Sequence, residues 1–218
     1  MKPIAHIRTD FSEKFGIPRQ SGLVPGLLGR VIFLPAYRNP DALRGLEGYS
    51  HIWLLWEFSE AKRDSWSPMV RPPRLGGNRR MGVFATRSPF RPNPIGLSCV
   101  RLLAIEGTEL VVEGADLLDG TPIYDIKPYL PYTDAHPEAT AGFAQEVYED
   151  RLTVDFSDAL LARLPADKRE SAIALLRGDP RPSYQEDAAR VYGMPYAGYD
   201  IRFTVEGERL TVVAVEQL

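Results

Sequence analysis

The sequence has few of the residues that build the commonest catalytic centres. It contains one cysteine, Cys99, so no intrachain disulfide can form, and its three histidines are widely spaced. It has neither the G-x-x-x-x-G-K-[ST] loop that cradles phosphates nor a G-x-G-x-x-G motif after a strand. These gaps argue against a zinc centre, a P-loop and a Rossmann cofactor site. We therefore expect no metal.

Long apolar runs are also missing. The tightest apolar cluster, Ile52–Trp56, has the length of a buried strand and falls far short of the roughly 20 residues that a membrane helix needs. The first residues, Met1–His6, lack the apolar stretch of a signal peptide. Together with the single cysteine, these features predict a soluble, cytoplasmic protein with no membrane partner.

One segment lacks negatively charged residues. Residues Ser65–Ile105 contain no Asp, Glu or Lys, yet they carry seven arginines. Because the chain has a net charge of −3, the remainder carries −3 − 7 = −10. The planar guanidinium suits phosphates and carboxylates, and the many Pro and Gly residues of this segment favour fixed loops. The segment therefore predicts a binding site for a defined polyanionic partner.

The pattern of elements indicates a mainly β protein. Up to about residue 135, short β-rich runs alternate with turns, which is typical of a barrel or a sandwich. Among them, Met81–Thr86 and Glu109–Leu118 are predicted strands, and Asn39 is a predicted N-cap for a short helical piece at Pro40–Arg44. Residues 136–156 read as a connector. Residues 157–218 predict a small α+β domain, with two helices over Ser157–Leu164 and Ala166–Arg177 that are broken at Pro165 and stopped at Gly178.

The segment Phe84–Leu97 is the first candidate functional loop. Arg87 and Arg91 stand four residues apart, and Asn93 lies between two prolines. Polar loops held on a rigid scaffold commonly carry function. The alternative is a surface turn whose arginines pair with acids, which contributes little to stability. The segment itself supplies no acid, which favours the functional interpretation.

Two further clusters stand out. In the first, Asp119-Gly120 marks a turn, and Asp125, Lys127 and Tyr129 alternate, so they would share one face of a strand. A plain surface Asp–Lys pair explains the same pattern equally well. In the second, the loop Lys14–Gly22 offers backbone amides at Ser21 and Gly22.

Taken together, the three clusters resemble the TsaA-like (TrmO) family. The resemblance covers almost the whole chain. The motifs that carry it are Glu13–Gln20, Arg44–Glu47, Ser50-His51, Arg71–Asn78, Gly82–Ser88, Phe90–Gly96, Asp119–Pro122, Asp125–Tyr129 and Asp179–Pro182 with Tyr184.

The resemblance implies a fold, an activity and a cofactor. The family consists of S-adenosylmethionine-dependent tRNA methyltransferases built on a β-barrel, so we expect an N-terminal β-barrel and a small C-terminal α+β domain. The expected substrate is N6-threonylcarbamoyladenosine beside the anticodon of threonine tRNA, and the expected assembly is a homodimer. Motif matching assigns the cofactor to Gln20, Ser21, Gly22, Arg87, Leu97, Asp119, Gly120, Thr121 and Pro122, and to the pair Ser59-Glu60.

The chemistry of the transfer suggests roles for the remaining residues. N6 of this nucleoside is a weak nucleophile that must lose a proton, so we expect Asp125 as the base, with Asn93 as a second candidate. Lys127 or Arg91 would hold the threonyl carboxylate, and Tyr129 would contact the base. The predicted tRNA-phosphate contacts are Arg71, Arg74, Arg79, Arg80 and Arg181.

Alternative functions remain open at this point. A non-catalytic RNA-binding barrel would use the same arginines, and a methyltransferase with another substrate would share the same pocket chemistry. A hydrolase of a small metabolite would need a nucleophile or metal cluster that the sequence does not offer.

Overall fold

The computed structural model describes residues 1–61, 65–72, 79–146, 152–181 and 187–218. The predicted tRNA contact Arg74, and the part of the C-terminal motif after Arg181, lie outside these residues.

Strands dominate the described residues, and four short α-helices accompany them. The strands are β1 Ala5–Arg8, β2 Leu28–Phe33, β3 His51–Glu57, β4 Met69–Val70, β5 Met81–Gly82, β6 Ile95–Glu106, β7 Glu109–Glu113, β8 Pro122–Pro128, β9 Thr153–Asp155, β10 Tyr192–Tyr196, β11 Tyr199–Glu206 and β12 Arg209–Gln217. The helices are α1 Pro131–Asp134, α2 Phe143–Glu146, α3 Asp158–Leu161 and α4 Arg169–Arg177.

Six strands close an antiparallel barrel in the order β1-β2-β7-β6-β3-β8. Its core follows from period-2 alternation, because Ile52, Leu54 and Trp56 of β3 are buried while the residues between them are half-exposed. A closed sheet also leaves no unpaired edge. The predicted N-terminal β-barrel is confirmed.

The C-terminal part is a four-stranded sheet, β10-β11-β12-β9, packed against α4. The loop between β1 and β2 enters this second core through Phe11, Val24 and Leu27, all of them buried. Lys168 also reaches back to Asp10, with Nζ 2.6 Å from Oδ2. The C-terminal part therefore braces the loop that carries residues 20–22.

Two predicted strands are shorter than expected. Instead of a strand over Met81–Thr86, only Met81 and Gly82 pair, and a 3-10 turn follows at Val83–Ala85. The carbonyl of Val83 accepts hydrogen bonds from the side chains of Thr86 and Arg91, so this segment folds on itself. The strand predicted over Glu109–Leu118 ends at Glu113, because Gly114 has a φ of +85°.

The helical predictions hold in part. The Asn39 side chain accepts a hydrogen bond from the amide of Asp41 at 3.0 Å, so the predicted N-cap is confirmed, on a 3-10 turn. Of the predicted helix over Ser157–Leu164, only α3 is helical. The strand β9 lies in the predicted connector and pairs in parallel with β12, which sequence reasoning missed.

Candidate active site

The predicted cofactor segment Gln20–Gly22 lies against one end of the barrel. The amide of Gly22 donates to the carbonyl of Gly114 at 2.9 Å. A Cβ at position 114 would come within 3.1 Å of the Gly22 backbone. This close backbone contact, with the left-handed conformation of Gly114, explains why glycine stands there.

A buried hydrogen-bond chain lies directly beneath this segment. The indole Nε1–H of Trp56 donates to Ser98 Oγ at 2.9 Å, and Ser98 Oγ donates to Asp116 Oδ1 at 2.5 Å. The backbone amide of Ser21 is oriented so that it favours the charged form of the same carboxylate. Burial raises the pKa of Asp116, while Ser98, the backbone amides and Arg87 oppose the rise. We call Trp56, Ser98 and Asp116 the buried relay.

The strand β6 makes room for the buried relay. Gly96 lies opposite Trp56 in the β3–β6 register, and a Cβ there would be 2.2 Å from the indole ring. The ring of Phe58 packs on the other side, with ring centroids 4.2 Å apart. The indole is therefore held in one position, with its N–H directed at Ser98.

Arg87 closes the site from the loop between β5 and β6. Its guanidinium donates to the side-chain oxygen of Gln20. The loop that presents Arg87 is stabilised by Arg91, whose Nη1 lies 2.6 Å from the carbonyl oxygen of Thr86 and 3.3 Å from that of Val83. Arg91, a predicted substrate contact, thus supports the loop in this structure.

The predicted turn Asp119–Pro122 leads into β8. The carboxylate of Asp119 accepts from Arg8 at 2.9 Å and from the amide of Thr9 at 3.0 Å. Thr121 is buried and donates to the carbonyl of Leu118 at 2.7 Å. These contacts fix the turn at the point where the loop bearing residues 20–22 leaves β1.

Asp125, the predicted proton acceptor, lies on the outer face of the barrel. Asp125 is in register with Leu55 of β3, which in turn faces Leu97 of β6. The Nζ of Lys127 lies 3.1 Å from Asp125 Oδ2, and the Asp125 side chain is 47% exposed. The two residues share a face, as the alternation predicted.

Aromatic rings continue this outer face. The ring of Tyr129 lies 5.7 Å from Trp53 and 6.2 Å from His51, centroid to centroid. Trp53 is itself fixed, because its Nε1–H donates to Asp134 Oδ2 at 3.0 Å. Tyr129, the predicted contact of the substrate nucleobase, therefore belongs to an aromatic cluster with His51, which stands in a motif of the sequence, and Trp53, to which the sequence analysis gave no role.

The remaining predicted residues lie around these groups. Ser59 and Glu60 form a 3-10 turn after β3, and Lys14 Nζ lies 2.9 Å from Glu60 Oε2, which ties this turn to the β1–β2 loop. Asn93 is exposed. Of the predicted tRNA contacts that the structure describes, Arg71, Arg79 and Arg80 are exposed, whereas the side chain of Arg181 is 12% exposed and pairs with Asp179 at 2.9 Å.

Sequence reasoning did not assign a role to the buried relay. Asp116 stands three residues before the Asp119-Gly120 turn. Its partners come from β3 and β6, and no sequence spacing links positions 56, 98 and 116. Only closure of the barrel brings them together.

Two negative findings apply to the part of the chain that the structure describes. There, no three His, Cys, Asp or Glu side chains are grouped so that they could hold a metal ion. Nor does that part contain a helix that is long and apolar enough to cross a membrane.

Comparison with known proteins places the chain in a family. The profile of the tRNA-methyltransferase O N-terminal domain matches residues 6–135, and that of the TrmO C-terminal domain matches residues 149–218. The chain belongs to the tRNA-methyltransferase O family. The predicted resemblance is thereby confirmed.

Individual relatives of this family match over nearly the full length. The tRNA (adenine(37)-N6)-methyltransferase of Escherichia coli is 41% identical over 225 residues, which cover 98% of this chain and 96% of the relative. A putative S-adenosylmethionine-dependent methyltransferase of Pseudomonas aeruginosa is 44% identical, with 93% and 91% covered. The crystal structure of TrmO from Pseudomonas aeruginosa superposes with a TM-score of 0.81 at 37% identity, covering 99% of this chain and 95% of that one.

Proposed function

We propose that this protein transfers a methyl group from S-adenosylmethionine to N6 of N6-threonylcarbamoyladenosine beside the anticodon of threonine tRNA. The general activity follows from the family and the relatives: the protein is an S-adenosylmethionine-dependent tRNA methyltransferase that acts on N6 of adenine 37. The identity of the substrate, that is, the threonylcarbamoyl group on the adenosine and the choice of threonine tRNA, is our proposal.

The cofactor site we propose is the end of the barrel around Gln20–Gly22. The backbone there sits directly on Gly114 with Arg87 beside it, an arrangement that suits a ligand with a carboxylate and a hydrogen-bonding purine. When bound, S-adenosylmethionine supplies a methyl group on a positive sulfur that leaves as a neutral thioether. The other residues that we assign to this site are Ser59, Glu60, Leu97, Asp119, Gly120, Thr121 and Pro122.

The substrate base would lie on the outer face, with its N6–H towards Asp125. As N6 forms the new bond to carbon, its proton passes to the Asp125 carboxylate. Lys127, 3.1 Å from that carboxylate, is placed to hold the threonyl carboxylate nearby. We prefer Lys127 to Arg91 because the Nη1 of Arg91 is occupied by loop carbonyls. Asn93 stays a second candidate for orienting N6–H.

One observation carries this arrangement. On β6, Leu97 is exposed on the outer face, in register with Leu55 and Asp125, while the next residue, Ser98, is buried and bonds to Asp116. Because successive strand residues point to opposite faces, a single peptide unit separates the two regions. This proximity supports a site for the methyl donor at the barrel end and a site for the methyl-accepting nucleobase on the outer face.

The test is a methylation assay with labelled S-adenosylmethionine and total tRNA, with and without the threonylcarbamoyl group, followed by mass spectrometry of the nucleosides. We expect the label only in methylated N6-threonylcarbamoyladenosine. Label in another nucleoside would contradict the proposed substrate. In equilibrium dialysis, absence of bound S-adenosylmethionine would instead favour a pure RNA binder.

We also propose that the enzyme is a cytoplasmic homodimer. Several large apolar side chains of the arginine-rich segment are exposed, among them Phe84 at 72%, Leu97 at 56% and Trp66 at 50%, and the rings of Trp66 and Phe84 lie 6.0 Å apart. Exposed apolar groups gathered in one area mark association surfaces. Sedimentation analysis should give twice the 24.4 kDa chain mass, and Phe84→Asp should shift the equilibrium to monomer. A wild-type monomer at micromolar concentration would contradict the dimer.

A further inference from the structure

The strongest unexplained feature is the carboxylate of Asp116, which is removed from most solvent and has no part in the chemistry described above. We propose that Asp116 is a positioning residue that holds Gln20–Gly22 and Arg87 in the geometry that receives the cofactor. This inference rests on the cofactor site proposed above. Its first test, however, is independent of any ligand.

The contacts of Asp116 point in two directions. Inward, Oδ1 accepts the hydroxyl proton of Ser98 at 2.5 Å. Outward, the carboxylate faces the backbone of the proposed cofactor segment, since Gly22 donates to the carbonyl of Gly114 at 2.9 Å and the Ser21 amide lowers the pKa of Asp116. Asp116 thus joins the barrel interior to the ligand-facing loop.

The inward contacts fix the carboxylate. A serine hydroxyl has one proton, and Ser98 Oγ already accepts from Trp56 Nε1 at 2.9 Å, so its proton is free for Asp116. Ser98 is fully buried and Trp56 is 6% exposed. Trp56 and Ser98 are therefore fixed by the packed core, and they set the orientation of the Asp116 carboxylate.

The negative charge has a partner on the outward side. The Arg87 guanidinium acts electrostatically on Asp116 and at the same time donates to Gln20. Burying a carboxylate costs free energy, and a neutral isostere usually removes that cost. A charge kept at such a cost beside Arg87 is best explained by the need to hold the arginine and the Ser21 amide.

An asparagine cannot replace these contacts. The Ser98 hydroxyl donates to Asp116 Oδ1 at 2.5 Å, and the backbone amides of Ser21 and of Asp116 itself also favour the charged carboxylate. The side chain of Asn has one acceptor oxygen, and its NH2 group would face a donor. Asp116→Asn therefore keeps the shape while it removes both the charge and part of the acceptor capacity.

The first test measures amide hydrogen exchange of the ligand-free protein. In Asp116→Asn we expect the peptide containing Ser21 to exchange at least about 5-fold faster, because the segment loses the charged group that it packs against. Glu113→Gln is the matched control, since Glu113 accepts the amide of Gly26 at 3.0 Å in the same loop. The control should leave the Ser21 peptide unchanged. Equal exchange at Ser21 in wild type and Asp116→Asn would overturn the proposal.

The second test separates positioning from catalysis. In Asp116→Asn we expect the Kd for S-adenosylhomocysteine and the KM for S-adenosylmethionine to rise about 10-fold, while kcat stays within about 3-fold. Ser98→Ala, which keeps the charge but removes the inward anchor, should change the same constants in the same direction, to a smaller extent. A fall in kcat with unchanged KM would overturn the positioning role.

A third variant separates this inference from the site proposal. If Arg87→Ala weakens ligand binding and Asp116→Asn does not, the cofactor site stands and the role of Asp116 is wrong. If Arg87→Ala binds S-adenosylhomocysteine normally, the proposed cofactor site itself is wrong. Melting temperatures of all variants should stay within a few degrees of wild type, which shows that they fold.

Discussion

Two carboxylates nine residues apart, Asp116 and Asp125, occupy opposite environments. Asp116 lies at the end of the barrel beneath a backbone segment, and its partners are donors fixed by the core. Asp125 lies on the outer face, about half exposed, with Lys127 as its neighbour. Asp116 is partly buried against protein groups, whereas Asp125 has room for a large substrate and access to water for proton exchange. Different environments give two like groups different roles.

The largest effect should come from Asp125→Asn. Removal of the proton acceptor should lower kcat by about 100-fold or more, because general-base catalysis contributes factors of that order. The Kd for S-adenosylhomocysteine should stay within about 2-fold, since Asp125 lies outside the barrel-end site. Single-turnover methylation and calorimetry measure the two constants.

Glu109→Gln is the matched control for this prediction. Glu109 is also a barrel carboxylate with a basic partner, because Arg30 lies 3.1 Å from it. Its loss should leave kcat within about 2-fold. Unchanged turnover in Asp125→Asn would remove the base role from this residue and leave the outer face without its main function.

The next effect concerns Arg87→Ala. Loss of a charge-assisted hydrogen bond should weaken S-adenosylhomocysteine binding by about 10- to 100-fold. Arg101→Ala, in the same arginine-rich segment but paired with Glu113 at 3.3 Å, should change binding by less than 2-fold. Equal losses in both variants would indicate a general electrostatic effect and would contradict a specific contact.

A smaller effect is expected on stability. Since burial raises the pKa of Asp116 in the folded state, that state binds more protons than the unfolded chain between the two pKa values. The free energy of unfolding contributed by this group therefore falls as pH rises through that window. Asp116→Asn should lack this component, so its free energy of unfolding relative to wild type should increase as pH rises.

Urea unfolding between pH 4 and 8 measures that difference. The free energy of unfolding of the variant should increase relative to that of wild type as pH rises, even though the variant binds the cofactor less well. A stability difference between the two proteins that does not change with pH would contradict the raised pKa of Asp116, and the contrast between the two acids would disappear.

The smallest effects should come from the exposed arginines. Arg79→Ala and Arg80→Ala should each lower the slope of log K against log salt for tRNA binding by about one unit. Arg202→Ala, in the C-terminal sheet and paired with Asp200 at 2.9 Å, is the control and should leave the slope unchanged. An unaltered slope in the first two variants would contradict phosphate contacts at these positions.

Much of the fold was predictable because local patterns and tertiary structure agree. The alternation in β3 and β6, the hairpin turn at Gly107 and the helix stop after Arg177 all have local causes. The segment after Met81 is the exception. Its composition suits a strand, but Thr86 and Arg91 capture the carbonyl of Val83, and that contact depends on how the loop folds.

The candidate site shows the same division. Arg87 and Gln20 were predicted from motifs, and the structure brings them into contact. Asp125 and Lys127 were predicted from alternation, and they lie on one face. The buried relay could not be predicted, because its three members lie on separate segments and meet only inside the closed barrel.

The most direct test of the central claim is amide hydrogen exchange of the wild-type protein with and without S-adenosylhomocysteine. If the barrel-end segment is the cofactor site, added ligand should protect the peptides that contain Gln20–Gly22 and Arg87, and it should leave β11 and β12 unchanged. If the ligand is bound and neither the Gln20–Gly22 peptide nor the Arg87 peptide is protected from exchange, the account is contradicted.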